Sequence, residues 1–531
     1  MYFTTMKPSK SSRQIRVVNR VVFIAAVLLG LGWGPSLRGD ISLSKIFTDH
    51  MVLQQNSLVK VTGTAEPRQK LAVTFSQQVS KITADDQGDW MATIQTPAAG
   101  GPFELKVAAE EGEPKVALSN VMVGDVWVCA GHNMEWPVSK SLNPATEIEL
   151  SKNFPQLRLF SVDHNASVVA LTDFAKVNPW RICSPETVSD FSATAYFFGR
   201  ELSKGLKREE QAIDTPIGLI DCSWEWSSCE AWSSRSSMEA VESLAPLLKH
   251  WDENDEVPTD KNRPGNLYNG MIAPMAGFPI RGIIWYQGEA NHGRGHQYAT
   301  LFPALIKGWR KTFGDEKLPF YYVQLAPYRY QGESPQGLPE VWDAQLKTLK
   351  SVPHTSMVVT TDIGDTEEIH PKNKQEVGRR LSLVALSGCY GDTKPDTKPD
   401  TKIETETETK TETETAPVDQ IVSSGPIYKS MSIEEERIRI CFDHAQGLRA
   451  RDKDEGLQCF LICGEDRKFY PAQAIISGEA VEVSSDKVNK PVAVRFVWDD
   501  SAEPNLVNGA GLPASPFRTD DFQLLSHGRE F

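Results

Sequence analysis

VMVGDVWVCAGHNMEW, residues 121–136, is the stretch that decides the fold. Val126, Trp127, Val128 and Cys129 make an unbroken apolar run, which reads as a buried strand. It passes directly into Ala130-Gly131-His132-Asn133, a turn leading towards a helix start. In α/β sheets, ligands and catalytic groups gather beyond the carboxyl ends of strands. Chemistry is therefore expected at the Gly131–Asn133 turn.

Outward from this run, residues 121–390 alternate strands with helical patterns. Pro216–Asp221 and Arg281–Tyr286 are short apolar runs bounded by turns, while Ala193–Leu206 and Tyr298–Phe313 are amphipathic. Such alternation predicts an α/β unit, a parallel sheet with helices on both faces. Residues 40–120 differ. Leu58–Val61, Leu71–Phe75 and Glu104–Val107 alternate and are separated by Gly, Pro and Asp turns, as in a β-sandwich or jelly-roll module. Alternation returns in 419–531, at Ile438–Phe442, Ala480–Val483 and Val492–Phe496. Between core and tail lies a low-complexity acidic, Thr-rich tract, 391–418, in which a KPDT repeat passes into Glu-Thr alternation with no apolar face to bury.

The first 39 residues form a targeting segment. Lys7, Lys10, Arg13, Arg16 and Arg20 precede the apolar run Val21–Leu29, which is shorter than the about 20 residues of a membrane span. This reads as a signal peptide or an N-terminal anchor, and hence an exported protein: periplasmic, cell-surface or secreted. A net charge of -14, from 70 acidic against 56 basic side chains, argues against a nucleic-acid partner, because phosphate binding needs clustered Lys and Arg. The eight cysteines have no metal-ligand spacing; most read as buried thiols, and the sequence assigns no disulfide pairing.

Several separate motifs carry a resemblance. They are GDVWVCAGHNMEW (124–136), IFTDHMVLQQ (46–55), WYQGEAN (285–291), TDIGDTEEIHPKNKQEVGRRL (361–381), FDHAQGL (442–448) and NLVNGAGLPASPFRTDDF (505–522). In order and content these resemble the SGNH hydrolases, and in detail the sialate O-acetylesterase family of carbohydrate esterases. The resemblance implies a flavodoxin-like SGNH hydrolase core carrying β-sandwich or jelly-roll modules. It also implies hydrolysis of O-acetyl esters on sialic acid or another acetylated glycan, with neither metal nor other cofactor.

In that family the opening motif reads approximately GEVWLCSGQSNMEW, and the serine of GQSNM is the nucleophile. Here one residue is missing and no serine lies between Gly131 and Met134. His132 stands in the glutamine or the serine place, and Asn133 survives from the Ser-Asn pair. By the same resemblance His370 is the general base. Its orienting carboxylate falls on Glu367 by the three-residue SGNH spacing, or on Glu368 by the two-residue spacing of relatives, with Asp362 and Asp365 as further candidates.

Gln287 is the implied oxyanion donor, its amide facing the substrate carbonyl. Gly131, Glu289 and Asn291 are expected on the substrate side. Relatives read SSWGGTPxEAW where this chain reads CSWEWSSCEAW (222–232), so both glycines of a backbone donor are replaced, by Glu225 and Trp226. A side chain at such a position resists positive φ and close approach. Ser139 and Ser141 read as ordinary helix or loop residues. Losing one member of a serine triad lowers rate by about 10⁴- to 10⁶-fold. The expectation is an esterase of reduced or lost activity, or a catalytically silent glycan-binding protein of the same fold.

Overall fold

The computed structural model describes residues 40–110, 112–207, 214–254, 257–391, 421–452 and 456–529. The targeting segment and nearly all of the low-complexity tract lie outside them. Among the described residues no helix is long and apolar enough to cross a membrane.

The run that decides the fold is the end of a 17-residue strand, β1 (Pro114–Ala130). Its first half alternates between exposed and half-buried, and from Val121 every residue is buried. The change of pattern marks a change of surroundings along one strand. The N-terminal half pairs antiparallel with the strand Gly100–Ala109, and Val52–Gln54 pairs in parallel with Met122–Gly124. The C-terminal half lies in the middle of the central sheet. The 120/121 boundary expected between modules thus falls inside a continuous strand.

The sheet's remaining strands are β2 (Leu157–Val162), β3 (Val177–Ile182), β4 (Ile217–Cys222), β5 (Gly282–Trp285), β6 (Phe320–Val323) and β7 (Thr355–Val358). Their order is β3-β2-β4-β1-β5-β6-β7. All neighbours are parallel except the edge hairpin β2–β3, so the sheet is mixed. The four longest helices are α1 (Ala193–Leu206), α2 (Gly295–Phe313), α3 (Gly337–Ser351) and α4 (Lys374–Cys389). On one face Trp127 packs against Phe198 of α1 and Tyr321, whose hydroxyl meets Cys389 of α4. On the other, Trp285 packs against Phe302 and Trp309 of α2. Burial on both faces is why these strands are apolar runs rather than alternations.

Two groups of antiparallel strands flank the core. N-terminally, Ser42–Leu43, Leu58–Thr64 and Asp89–Gln95 form a three-stranded sheet, and Lys70–Phe75 with Gln78–Thr83 extends the ladder begun at Gly100–Ala109. C-terminally there are two four-stranded sheets and a two-stranded pair. All eight cysteines are free thiols, and Cys129, Cys183, Cys222, Cys229 and Cys463 are buried.

Candidate active site

Gly131 ends β1 with φ 110, and a Cβ there would lie 2.6 Å from the carbonyl oxygen of Tyr286. The chain can turn this close to β5 only as glycine. A single 3₁₀ turn, His132–Glu135, follows. It is stitched to the end of β5 by Asn133 N–H donating to Tyr286 O (3.0 Å), while Tyr286 N–H donates to Ala130 O (3.0 Å).

This turn delivers His132 to His370. Their Nε2 atoms are 3.3 Å apart, and both rings are buried. Each imidazole has a carboxylate behind it: His132 Nδ1 is 3.7 Å from Glu289 Oε2, and His370 Nδ1 is 3.8 Å from Glu368 Oε1. The result is a row, Glu289–His132–His370–Glu368. Glu368 Oε1 also accepts the His370 backbone N–H at 3.2 Å. Glu367 instead pairs with Arg329 at the surface. Asp362 is held by Arg380 through two bonds of 2.7 Å, and Asp365 accepts the Glu367 N–H. Of the four carboxylates the sequence left open, only Glu368 faces the His370 ring. Among the described residues no hydroxyl bonds to that ring. Ser141 donates its hydroxyl to Val138 O.

Burial, with His370, Lys374 and Lys261 as cationic neighbours, pushes His132 down to about 3, so it is neutral at ordinary pH. His370 is also lowered, by burial first and Lys374 second. Burial raises Glu289 to about 7. Its Oε1 accepts from the Asn133 amide, while its Oε2 has no hydrogen-bond partner.

Gln287 differs from expectation. Its amide donates to Ser227 O (3.1 Å) and Asn291 Oδ1 (2.7 Å), and its Oε1 accepts from the Tyr298 hydroxyl (3.2 Å). Both amide hydrogens are thereby committed to the scaffold, leaving none for a substrate carbonyl. Asn291 is likewise inward, bonded to Cys229 N–H and Glu230, and Glu230 pairs with Arg294. Together these residues clamp the 222–232 loop over the end of β5. In that loop Trp226 takes the left-handed backbone, φ 55, that a glycine would adopt freely, at a strain of about 1 kcal/mol. Trp226 is 48% exposed and its ring centroid lies 5.2 Å from that of His132. Glu225 is exposed, and its backbone N–H donates to Glu135.

Sequence reasoning missed four side chains. Trp136 stacks on His370 (4.7 Å, 17°), making with Trp226 an aromatic surround for the histidines. Trp224 and His164 stack at 4.3 Å nearby. Lys374, at the start of α4, is fully buried; its ammonium lies 4.9 Å over the Tyr286 ring and has no hydrogen-bond partner. The Trp136 signal was present in the opening motif. Lys374 stood within PKNK, where nothing in the sequence marks a lysine as buried.

Comparison with known proteins comes from three directions. Residues 163–386 match the family described as carbohydrate esterase, sialic acid-specific acetylesterase. The sialate O-acetylesterase of Mus musculus is 30% identical over 402 residues, covering 65% of this chain and 72% of that protein. That of Homo sapiens is 27% identical over 511 residues, covering 88% and 90%. Among solved structures, a carbohydrate acetylesterase from Xanthomonas citri has 33% sequence identity and a TM-score of 0.77, covering 91% of this chain and all of that one.

Proposed function

The chain belongs to the sialate O-acetylesterase family of carbohydrate esterases, and from that premise we propose that it hydrolyses O-acetyl esters on sialic acid or another acetylated glycan, with the His132–His370 pair acting in place of serine and histidine. Five of the six parallel strands, β4-β1-β5-β6-β7, run among themselves 2-1-3-4-5 by chain position, with β2 added in parallel outside β4. This supports an SGNH-type, flavodoxin-like core. The basic and apolar first 39 residues support export.

The observation that carries the reading is the 3.3 Å contact between the two Nε2 atoms. A nitrogen stands within bonding distance of His370, where a serine hydroxyl would be needed. A neutral imidazole pair in contact holds one proton between its Nε2 atoms, so one ring donates and the other accepts. When an acetyl ester and a water enter, the accepting ring takes the water's proton as its oxygen attacks the carbonyl carbon. The donating ring offers N–H to the developing oxyanion or the departing sugar oxygen. No acyl-enzyme forms, and turnover is slow beside that of a serine esterase. Trp136 and Trp226 give the sugar aromatic faces to lie against.

Purified protein is assayed for acetate release from an acetylated sugar and from p-nitrophenyl acetate. Turnover should vanish in His370→Ala and in His132→Ala. Wild-type turnover no faster than either variant would sink the hydrolase reading. A second reading, a glycan-binding protein without turnover, is favoured by one observation: both amide hydrogens of Gln287 are committed inside the protein. It expects binding of the acetylated sugar with no acetate released.

A further inference from the structure

Three buried side chains beneath the 222–232 loop form a line of hydrogen bonds in which each orientation dictates the next. It starts at Glu230, which is 2% exposed and whose Oε1 lies 2.9 Å from Arg294 Nη2. An ion-paired carboxylate accepts hydrogen bonds and donates none. Asn291 therefore turns its NH2 group to it, Nδ2 donating to Glu230 Oε2 at 2.9 Å. The Asn291 oxygen then faces the other way and accepts the Cys229 N–H at 2.9 Å. That oxygen can receive only a donor from Gln287, which presents Nε2 to it at 2.7 Å. The second hydrogen of the Gln287 amide reaches the carbonyl oxygen of Ser227 at 3.1 Å, and its Oε1 accepts from the Tyr298 hydroxyl.

The line ends on the residue after Trp226. A side chain other than glycine stays in the left-handed region only where its surroundings over-determine it, and Trp226 has φ 55. Its preceding neighbour is held at the surface: Glu225 N–H donates to Glu135, and Lys261 Nζ donates to Glu225 O at 2.6 Å. Water replaces either bond at little cost. The Gln287 bond to Ser227 O is buried, and there a lost donor leaves the carbonyl unsatisfied. This bond is therefore the anchor that keeps the Trp226 backbone strained and its ring 5.2 Å from that of His132.

We infer that Glu230 is a positioning residue: by fixing the amides of Asn291 and Gln287 it holds the Ser227 carbonyl, and through it the Trp226 ring that faces the sugar beside the histidine pair. For the meaning of Trp226 as a sugar face this rests on the reading above; for the position of the ring it does not. Reversing one polarity reverses the rest. In Glu230→Gln the Arg294 guanidinium, which has donors only, takes the one oxygen, and the new NH2 group meets Asn291 Nδ2. Asn291 then turns over, its NH2 group confronts the Cys229 N–H and the Gln287 amide, and Ser227 O loses its donor. Asn291→Asp alone sets a second carboxylate against Glu230. The two changes together restore the pattern, because the aspartate accepts from the new glutamine amide, from Cys229 N–H and from Gln287.

The test is NMR of the full chain with 15N-labelled tryptophan, the Trp226 indole signal being the one lost in Trp226→Phe. That signal should move in Glu230→Gln and in Asn291→Asp and return to its wild-type position in the double variant, while the signals of tryptophans away from the loop stay in place. A signal unmoved in both single variants, or moved and not restored in the double, overturns the inference. If the single variants do not fold, a folded double variant with the wild-type signal supports it and an unfolded one overturns it. Acetate release from O-acetylated sialic acid and from p-nitrophenyl acetate, which carries no sugar, is measured on the same samples. Glu230→Gln should lower kcat/KM for the sugar by up to about tenfold relative to p-nitrophenyl acetate, and the double variant should regain it; an equal loss on both substrates overturns the link from Glu230 to the sugar. No turnover in any sample, with the Trp226 signal moving and returning as expected, refutes the hydrolase reading and supports this inference; turnover with an unmoved signal does the reverse.

Discussion

At the scale of single residues, the candidate site is defined by two imidazoles whose Nε2 atoms meet at 3.3 Å. If the one missing residue is what limits turnover, replacing Gly131-His132-Asn133 by Gly-Gln-Ser-Asn should raise acetate release by about 10²-fold or more, given what a triad serine contributes. No increase would place the block elsewhere, at the Glu225-Trp226 pair. His132 also carries a stability signature. Its folded value, about 3, lies below the ordinary 6.5, so between these limits the unfolded chain binds a proton that the folded chain does not. Stability should therefore fall as pH drops from 6.5 towards 3, by about 3 kcal/mol at pH 4. Urea titrations of His132→Gln should show a flatter pH dependence than wild type; parallel curves would contradict this burial-driven linkage. The motif holding His370 was legible in the sequence, and so was the turn it meets. The choice between Glu367 and Glu368 was not, because two adjacent loop carboxylates differ only in which way the backbone turns them, and Arg329 drawing Glu367 to the surface lies 38 residues away. The Gln287 amide was equally unreadable: its orientation depends on Ser227 in a separate loop.

At the scale of elements, two short connections carry the geometry. The first is the end of β1, where Gly131→Ala meets both a left-handed φ and the Tyr286 carbonyl. We expect a loss of about 2–3 kcal/mol, read as a lower urea midpoint, and a disturbed His132–His370 contact. The second is the N-terminus of α4. Asn373→Ala removes the side-chain oxygen that accepts Glu376 N–H at 3.1 Å and should cost about 1 kcal/mol. Because Asn373 lies three residues after His370 and one before Lys374, this change should also alter the pH dependence of turnover. A cap substitution in an exposed helix remote from the site would leave that dependence untouched. The helix–strand alternation was readable because strands covered on both faces become apolar runs. The edge hairpin β2–β3 was not: Val177–Ile182 is mostly half-exposed and contains Pro179, with a register shift between Asn178 and Arg181.

At the scale of the whole molecule, the C-terminal sheets are fastened to the core by polar contacts supplied from the last stretch of sequence. Ser515 donates to Gln324 Oε1, Arg518 pairs with Asp343, and the Glu340 carboxylate accepts the backbone N–H groups of Leu525 and Ser526. Through Ser515 and Arg518 the NLVNGAGLPASPFRTDDF motif is thus a fastening, far from the histidine turn. The N-terminal attachment is of another kind. The hydrophobic period changes at 120/121, yet the chain there is one strand whose neighbours change. A core started at Val121 would lose the partners Gly100–Ala109 and Val52–Gln54. It would bare a row of amide and carbonyl groups beside Val121, Met122 and Val123, the kind of naked edge that recruits strands from other molecules. Such a fragment should elute from size exclusion as aggregate. The upstream sheets thus act as a permanent sheath, without which the strand bearing the histidine turn would stick to copies of itself.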